Sequence, residues 1–286
     1  MGARAGGVDE QADRLVAPGA SVTVRERLDR LLVERGLVRS REEAVRLILA
    51  GRVRVAGERV DKAGRSVAVE APIEVEATRA FVSRGGAKLA HALEAFGISA
   101  QGRVCLDVGA STGGFTHCLL QRGARRVYAV DVGTGQLDAR LRGDSRIVLM
   151  EKVNARHLVA EAFSPRPDLA TVDVSFISLE KVLPAVMACV GPAGEVVALA
   201  KPQFEVGRGR VGKGGVVRDP VAHRAVLTRL ARFALLRGWH VLGVTASPLK
   251  GPKGNREFFL YLSLAGHTPP ALESLIARVV DERDGP

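Results

Sequence analysis

The chain has 286 residues, 47% hydrophobic and only 4% aromatic, and its 42 Lys and Arg against 31 Asp and Glu give a formal charge of +11. That length allows two domains with a core of ordinary size, and a pI near 10.3 favours a polyanionic partner over an acidic or neutral one. The longest apolar run, Val182 to Val190, is broken by Pro184 and too short for a bilayer, residues 1–23 lack the apolar core of a secretory signal, and three dispersed cysteines form neither a disulfide framework nor a metal motif. A cytoplasmic protein with reduced thiols is therefore expected, without stable membrane association. Few aromatics favour recognition of backbone and shape over stacked bases.

Residues 1–23, rich in Ala, Gly and Val without periodicity, read as a disordered lead-in. From about Arg25, Leu28, Leu31 and Leu32 keep helical spacing up to Gly36. Ser40-Arg41-Glu42-Glu43 is a capping-box signature, followed by Ala44, Leu47 and Ile48 on one face and a stop at Gly51. Val53, Val55 and Val60 bracket a turn at Gly57, and Val67, Val69, Ile73 and Val75 alternate as strands. Residues 24–75 thus form a small α+β module, with 12 Lys and Arg against 7 Asp and Glu between Arg25 and Arg65. Charge alone leaves a solvated face and a nucleic-acid face equally open. The segments Arg27-Leu28-Asp29-Arg30-Leu31-Leu32, Ser40 to Ala44 and Ile48 to Gly57 resemble the S4 RNA-binding domain, which implies contacts to structured RNA through Arg27, Arg30, Arg41, Arg52 and Arg54.

Residues 76–82 read as a linker. Beyond it, apolar strand-like runs alternate with amphipathic helices: Val104–Val108, Val127–Val132, Ile147–Met150, Leu169–Val174, Val196–Ala200, Val241–Thr245 and Phe258–Leu264. Seven strands with helices between them predict a mainly parallel, doubly wound α/β sheet over residues 83–268. The last two runs are joined by a Gly/Pro/Lys loop with no room for a helix, so the final strand is expected to be antiparallel, the usual arrangement of class I methyltransferases. Residues 269–286 read as a C-terminal tail.

Leu106-Asp107-Val108-Gly109-Ala110-Ser111-Thr112-Gly113-Gly114-Phe115 follows the first of these strands and opens a helix, and Asp131 follows the second, 22 residues after Gly109. A dinucleotide fingerprint needs a glycine where Ser111 stands, and a pyrophosphate gains nothing from a carboxylate at Asp107. The amino group of S-adenosylmethionine does, so this cofactor is favoured over NAD, with Asp107 facing its ammonium and Asp131 its ribose hydroxyls. Gly109, Ser111, Gly113, Gly114, Phe115, Asn154 and Asp173 complete the expected cofactor set. Lys88, Asp173, Lys201 and Glu257 are two lysines interleaved with two carboxylates, and the last three lie at strand edges, where an open α/β sheet builds its site. Singly each is an ordinary surface charge; jointly, beside a cofactor loop, they suit removal of a proton from a poor acid such as a ribose hydroxyl. The loop Gly207 to Gly215, with Arg208, Arg210 and Lys213, reads either as a solvated surface loop or as a mobile RNA-facing one, and the second is preferred. The six histidines have no ligand spacing, and no metal is expected.

The whole is similar to the TlyA family, in which an S4 domain precedes an FtsJ-like (RrmJ-like) ribose 2′-O-methyltransferase domain. The segments Ser83 to Leu89, Asp107 to Phe115, Asp173 to Ser178, Lys201 to Glu205, Gly212 to Asp219 and Ser247 to Phe258 carry this resemblance; Phe81 departs from it, where the family often has Trp. The resemblance implies a tetrad of Lys88, Asp173, Lys201 and Glu257. Lys201 is then the base for the 2′-hydroxyl, its pKa lowered by burial or the neighbouring cation. Asp173 and Glu257 position the lysines, and Lys88 orients the hydroxyl and stabilises negative charge. Its substrates are cytidine riboses of small- and large-subunit rRNA. Two other functions compete: a membrane-active cytolysin, since the family also carries a haemolysin label, and a non-catalytic RNA-binding assembly factor. The absence of a spanning segment argues against the first, and the intact tetrad against the second.

Overall fold

The computed structural model describes residues 24–76, 80–207 and 209–282. The lead-in expected over residues 1–23 and the middle of the linker lie outside them. Two compact units divide between Thr78 and Arg79.

In the first unit β1 (Arg25–Arg27) runs directly into α1 (Leu28–Glu34), which ends before Gly36 at φ +67°. α2 (Arg41–Leu49) starts at Ser40, whose Oγ accepts the Glu43 N–H at 3.2 Å. The reciprocal bond of the capping box closes one residue earlier than expected, because the Glu43 carboxylate accepts from the Arg39 N–H (2.9 Å). β2 (Val53–Val55), β3 (Glu58–Val60) and β5 (Ile73–Val75) form an antiparallel sheet in the order β3-β2-β5, while β4 (Ser66–Ala68) pairs with β1. Strand β1, Arg-Glu-Arg, has no apolar residue to announce it. Leu28, Leu31, Leu32, Leu47, Ile48, Val53 and Val60 make the core.

The second unit begins with α3 (Arg84–Ala95), β6 (Val104–Val108), α4 (Gly114–Gln121), β7 (Arg126–Val130), α5 (Ala139–Arg142), β8 (Ile147–Met150) and β9 (Leu169–Val172). It continues through α6 (Leu183–Cys189), β10 (Glu195–Ala200), α7 (Pro202–Glu205), α8 (Pro220–Leu235), β11 (His240–Ala246), β12 (Phe258–Ser263) and α9 (Leu272–Asp281). The seven strands form one sheet, β11-β12-β10-β9-β6-β7-β8, with β12 antiparallel to both neighbours and β6 to β10 parallel. This is the α/β class I methyltransferase fold. Strand alternation divides the core: Val104, Leu106 and Val108 pack into one face, and Cys105, Leu89, Leu119 and Val197 into the other. The strand order reverses between β6 and β9, so a crevice opens at their carboxyl ends.

Residues 269–286 are not simply a tail. They contain α9, which packs on α8 and β11 and buries Ile276, Val279 and Val280. The spacing of Leu272, Leu275, Ile276 and Val279 is the amphipathic period that signals such a helix.

Candidate active site

Past β6 the chain turns through Gly109 (φ +85°), Ser111 (φ +48°) and Gly113 (φ +90°) before entering α4. A Cβ on Gly109 would lie 2.5 Å from the Asp173 carbonyl oxygen, so the two loops approach this closely only because residue 109 is glycine. Gly109, Ser111, Asp131, Asn154, Asp173 and Phe176 are among the residues lining a cavity of about 530 Å³. The Asp131 carboxylate, just beyond β7, accepts the N–H groups of Ser111 (2.8 Å) and Gly133 (2.7 Å), which fixes the loop and leaves lone pairs for ligand hydroxyls. Asn154 caps a short turn, its Oδ1 accepting from the Arg156 N–H at 3.1 Å. Gly114 and Phe115 belong to a smaller cavity of about 130 Å³ shared with Ser83, Lys88 and Asp173. Gly113 lines neither; a Cβ there would strike Leu137 and Leu141.

Asp107 departs from expectation. It is 0% exposed and lines neither cavity, so its side chain is packed beneath the loop rather than open to it. Its two oxygens accept from the hydroxyls of Thr116 (2.6 Å) and Thr171 (3.2 Å), joining β6, β9 and α4 beneath the loop. Burial pushes the carboxyl up to about 7, against the opposing effect of the Thr116 hydrogen bond. The reason lies in the alternation of β6: with Leu106 and Val108 on one face, residue 107 points into the other, which α4 covers.

The four interleaved charges converge. Asp173 follows β9, Lys201 follows β10 and precedes Pro202 at the start of α7, and Glu257 precedes β12. Register places Ala200 opposite Phe258, which brings Lys201 and Glu257 to one sheet edge. Lys88 reaches in from α3. Lys88 Nζ lies 2.5 Å from Glu257 Oε2, and Lys201 Nζ lies 2.6 Å from Asp173 Oδ1 while donating to Ser175 Oγ at 2.9 Å. The Lys201–Asp173 contact is an ion pair whose angle falls outside hydrogen-bonding range, since Asp173 Oδ1 has no hydrogen-bond partner among the described residues. Lys88 and Asp173 share the 130 Å³ cavity, and Lys201 and Glu257 share another of about 430 Å³. The result is two ion pairs, Lys88–Glu257 and Lys201–Asp173, whose members share cavities beside the cofactor loop.

Several residues here escaped the sequence reading. Phe176 adopts φ +63° with its side chain 90% exposed, rests against the Phe204 ring (centroids 4.9 Å apart), and borders both the loop cavity and that of Lys201. Gln203 lines the Lys201 cavity, and its Oε1 is buried with no hydrogen-bond partner among the described residues. Glu205 accepts from Ser178 Oγ and the Leu179 N–H, both at 2.7 Å, so the segment after Lys201 is tied to the segment after Asp173. Asn255 anchors the end of the glycine-rich loop, accepting from the Val217 N–H and donating to the Gly215 carbonyl, each at 2.9 Å. That loop supplies Val211 and Gly215 to the Lys201 cavity; Arg210 and Lys213 are exposed outside its lining, and Arg208 lies outside the described residues.

In the first unit Arg27 and Arg41 come together on Asp29 and, with Arg46, line an open surface cavity. Arg30, Arg52 and Arg54 are not part of it; the Arg54 guanidinium donates to the Gly57 carbonyl at 3.1 Å. Among the described residues no helix is long and apolar enough to cross a membrane, and no group of three or more His, Cys, Asp or Glu is placed to hold a metal ion.

A family profile described as FtsJ-like methyltransferase matches residues 81–264, and one described as S4 domain matches residues 26–73. Fold, loop and match together define an S-adenosylmethionine-dependent methyltransferase carrying an S4 domain. A 16S/23S rRNA (cytidine-2′-O)-methyltransferase TlyA of Mycobacterium tuberculosis is 49% identical over 263 residues, covering 90% of this chain and 98% of that one. A Brachyspira hyodysenteriae protein named Hemolysin A is 42% identical over 82% of this chain and 98% of its own. Among solved structures, a Streptococcus thermophilus protein named as a hemolysin superposes with a TM-score of 0.69 at 41% identity, over 91% of this chain and 95% of that one. The chain belongs to the TlyA family.

Proposed function

We propose that this protein methylates the 2′-hydroxyl of cytidine in small- or large-subunit ribosomal RNA, in the cytoplasm where ribosomes are, using the tetrad Lys88, Asp173, Lys201 and Glu257. The two ion pairs beside the cofactor loop carry this reading. The loop cavity suits S-adenosylmethionine by the chemistry of its donors: Asp131 for ribose hydroxyls, the tight turn at Gly109 and Ser111 for close backbone approach, and Asn154 and Val153 along the wall. When bound, the cofactor supplies an electrophilic methyl group.

The protein's own work is alignment and proton handling. In this reading Lys201 takes the hydroxyl proton, a step that only the neutral amine can perform. Asp173 and Ser175, its present partners, then stabilise the ammonium that proton uptake creates. Lys88, steadied by Glu257, offers N–H donors to the oxygen as it gains negative charge. The basic S4 unit supplies affinity through phosphate contacts. Incubation with methyl-labelled S-adenosylmethionine and ribosomal subunits, followed by digestion to nucleosides, tests this: the label is expected in 2′-O-methylcytidine. Label on a base, or none on rRNA, contradicts it. The hemolysin naming of two relatives is separated by a liposome-leakage assay, in which no leakage is expected.

A further inference from the structure

One buried carboxylate organises the basic surface of the first unit. Asp29, in the first turn of α1, is 1% exposed and holds arginines from two different elements. Arg27 of β1 donates from Nε to Oδ1 (3.0 Å) and from Nη2 to Oδ2 (2.9 Å). Arg41 of α2 donates from Nε to Oδ2 at 2.8 Å, and the Arg30 backbone N–H reaches Oδ1 at 3.1 Å. Four donors saturate the carboxylate. The Arg27 hydrogen bonds hold its carboxyl well below the usual range, so it stays anionic through neutral pH.

Asp29 therefore fixes two guanidiniums that would otherwise sample many rotamers in water. Among the described residues Arg41 makes no other side-chain hydrogen bond, so both of its terminal nitrogens are available. With Arg46 the two arginines line an open surface cavity of about 670 Å³, whose lining also includes Glu42, Val45, Leu49 and Ala63. Two fixed guanidiniums and a third cation around a concavity are what a phosphodiester backbone needs, because the side chains lose little further freedom on binding.

We propose that Asp29 is a positioning residue for RNA binding, which sets Arg27 and Arg41 as one phosphate-gripping fork. This rests on the RNA reading given above. Asp29 also removes a unit of positive charge, so positioning and bulk electrostatics predict opposite outcomes on its replacement. Asp29→Asn raises the charge of the surface. If charge alone matters, the variant binds RNA more tightly and with a steeper salt dependence. If Asp29 positions the fork, binding weakens by about tenfold and the slope of log affinity against log salt becomes shallower by about one per lost phosphate contact.

The experiment measures binding of the full chain to a structured RNA hairpin at several salt concentrations, with thermal unfolding as the folding control. Arg41→Lys, which keeps the charge but not the fork, is measured alongside and carries the test if Asp29→Asn does not fold. Weaker binding with a shallower slope in both variants is the expected result. Folded Asp29→Asn that binds as well as wild type or better, or Arg41→Lys indistinguishable from wild type, overturns the proposal. A wild type whose hairpin binding shows no salt dependence overturns the RNA reading itself, and the proposal with it.

Discussion

Asp107 carries its carboxyl where water does not reach, with Thr116 and Thr171 as its donors. Its pKa in the folded chain, about 7, lies above the ordinary value of 3.8, so the folded state holds the proton more tightly than the unfolded one. The sign follows: its favourable contribution is complete below about pH 4 and is lost as pH rises through about 7. Asp107→Asn keeps an acceptor for Thr116 without the charge, so unfolding measured from pH 5 to pH 8 should show wild type losing stability relative to the variant, by roughly 2–4 kcal/mol. Parallel profiles would refute this account of Asp107. The same residue shows where sequence reading fails. A carboxylate before a glycine-rich loop looks like a ligand contact, and only the alternation of Val104, Leu106 and Val108 reveals that it faces the helix side. Asp173, Lys201 and Glu257 could be singled out because apolar runs mark the strand ends beside which they stand, whereas Lys88 lies inside α3 with no such mark. Phe176 was not singled out: the apolar run reads as a strand up to Val174, whereas the strand stops at Val172 and Phe176 turns outward with positive φ, which no pattern in the sequence announces.

Between elements, close approach sets the site. α3 and α4 meet where a Cβ on Gly114 would lie 2.1 Å from Ser83 Oγ and 3.0 Å from the Gly86 nitrogen. Gly114→Ala must therefore push α3, and Lys88 with it, away from the loop. The expected cost is about 1–3 kcal/mol in stability together with weakened S-adenosylmethionine binding by calorimetry. Wild-type affinity in a folded Gly114→Ala would show that the loop tolerates displacement of α3. α9 offers a second test. Truncation after Thr268 removes the buried Ile276, Val279 and Val280 and leaves Arg256 without the Val280 carbonyl it meets at 2.6 Å. With about 1.5–3 kcal/mol for each buried aliphatic side chain, the truncated chain should melt well below the full one. An unchanged melting temperature would restore the tail reading. The seven strands were visible as apolar runs, and the antiparallel β12 followed from the short loop before it. β1 was hidden by its charged composition, because its partner β4 rather than its own pattern makes it a strand.

For the molecule as a whole, the division between Thr78 and Arg79 predicts that residues 79–286 fold alone. The chain just after the boundary is tied to that unit: Gln121 donates to the Ala80 carbonyl at 2.9 Å, and the Val82 N–H donates to His117 Nδ1 at 3.1 Å. Such a fragment should bind S-adenosylmethionine, with a melting shift that grows with ligand concentration, but should bind subunits far more weakly than the full chain. The deficit should shrink at high salt, where released counterions no longer favour the basic unit. Equal subunit methylation by fragment and full chain at all salt concentrations would assign the first unit another task. The central claim is that Lys201 takes the proton from a ribose hydroxyl at a site assembled for that purpose. It is tested most directly by single-turnover methyl transfer to ribosomal subunits by Lys201→Ala, with cofactor and RNA binding measured on the same preparation. The account predicts that both ligands still bind and that methyl transfer is lost; transfer at the wild-type rate would contradict it.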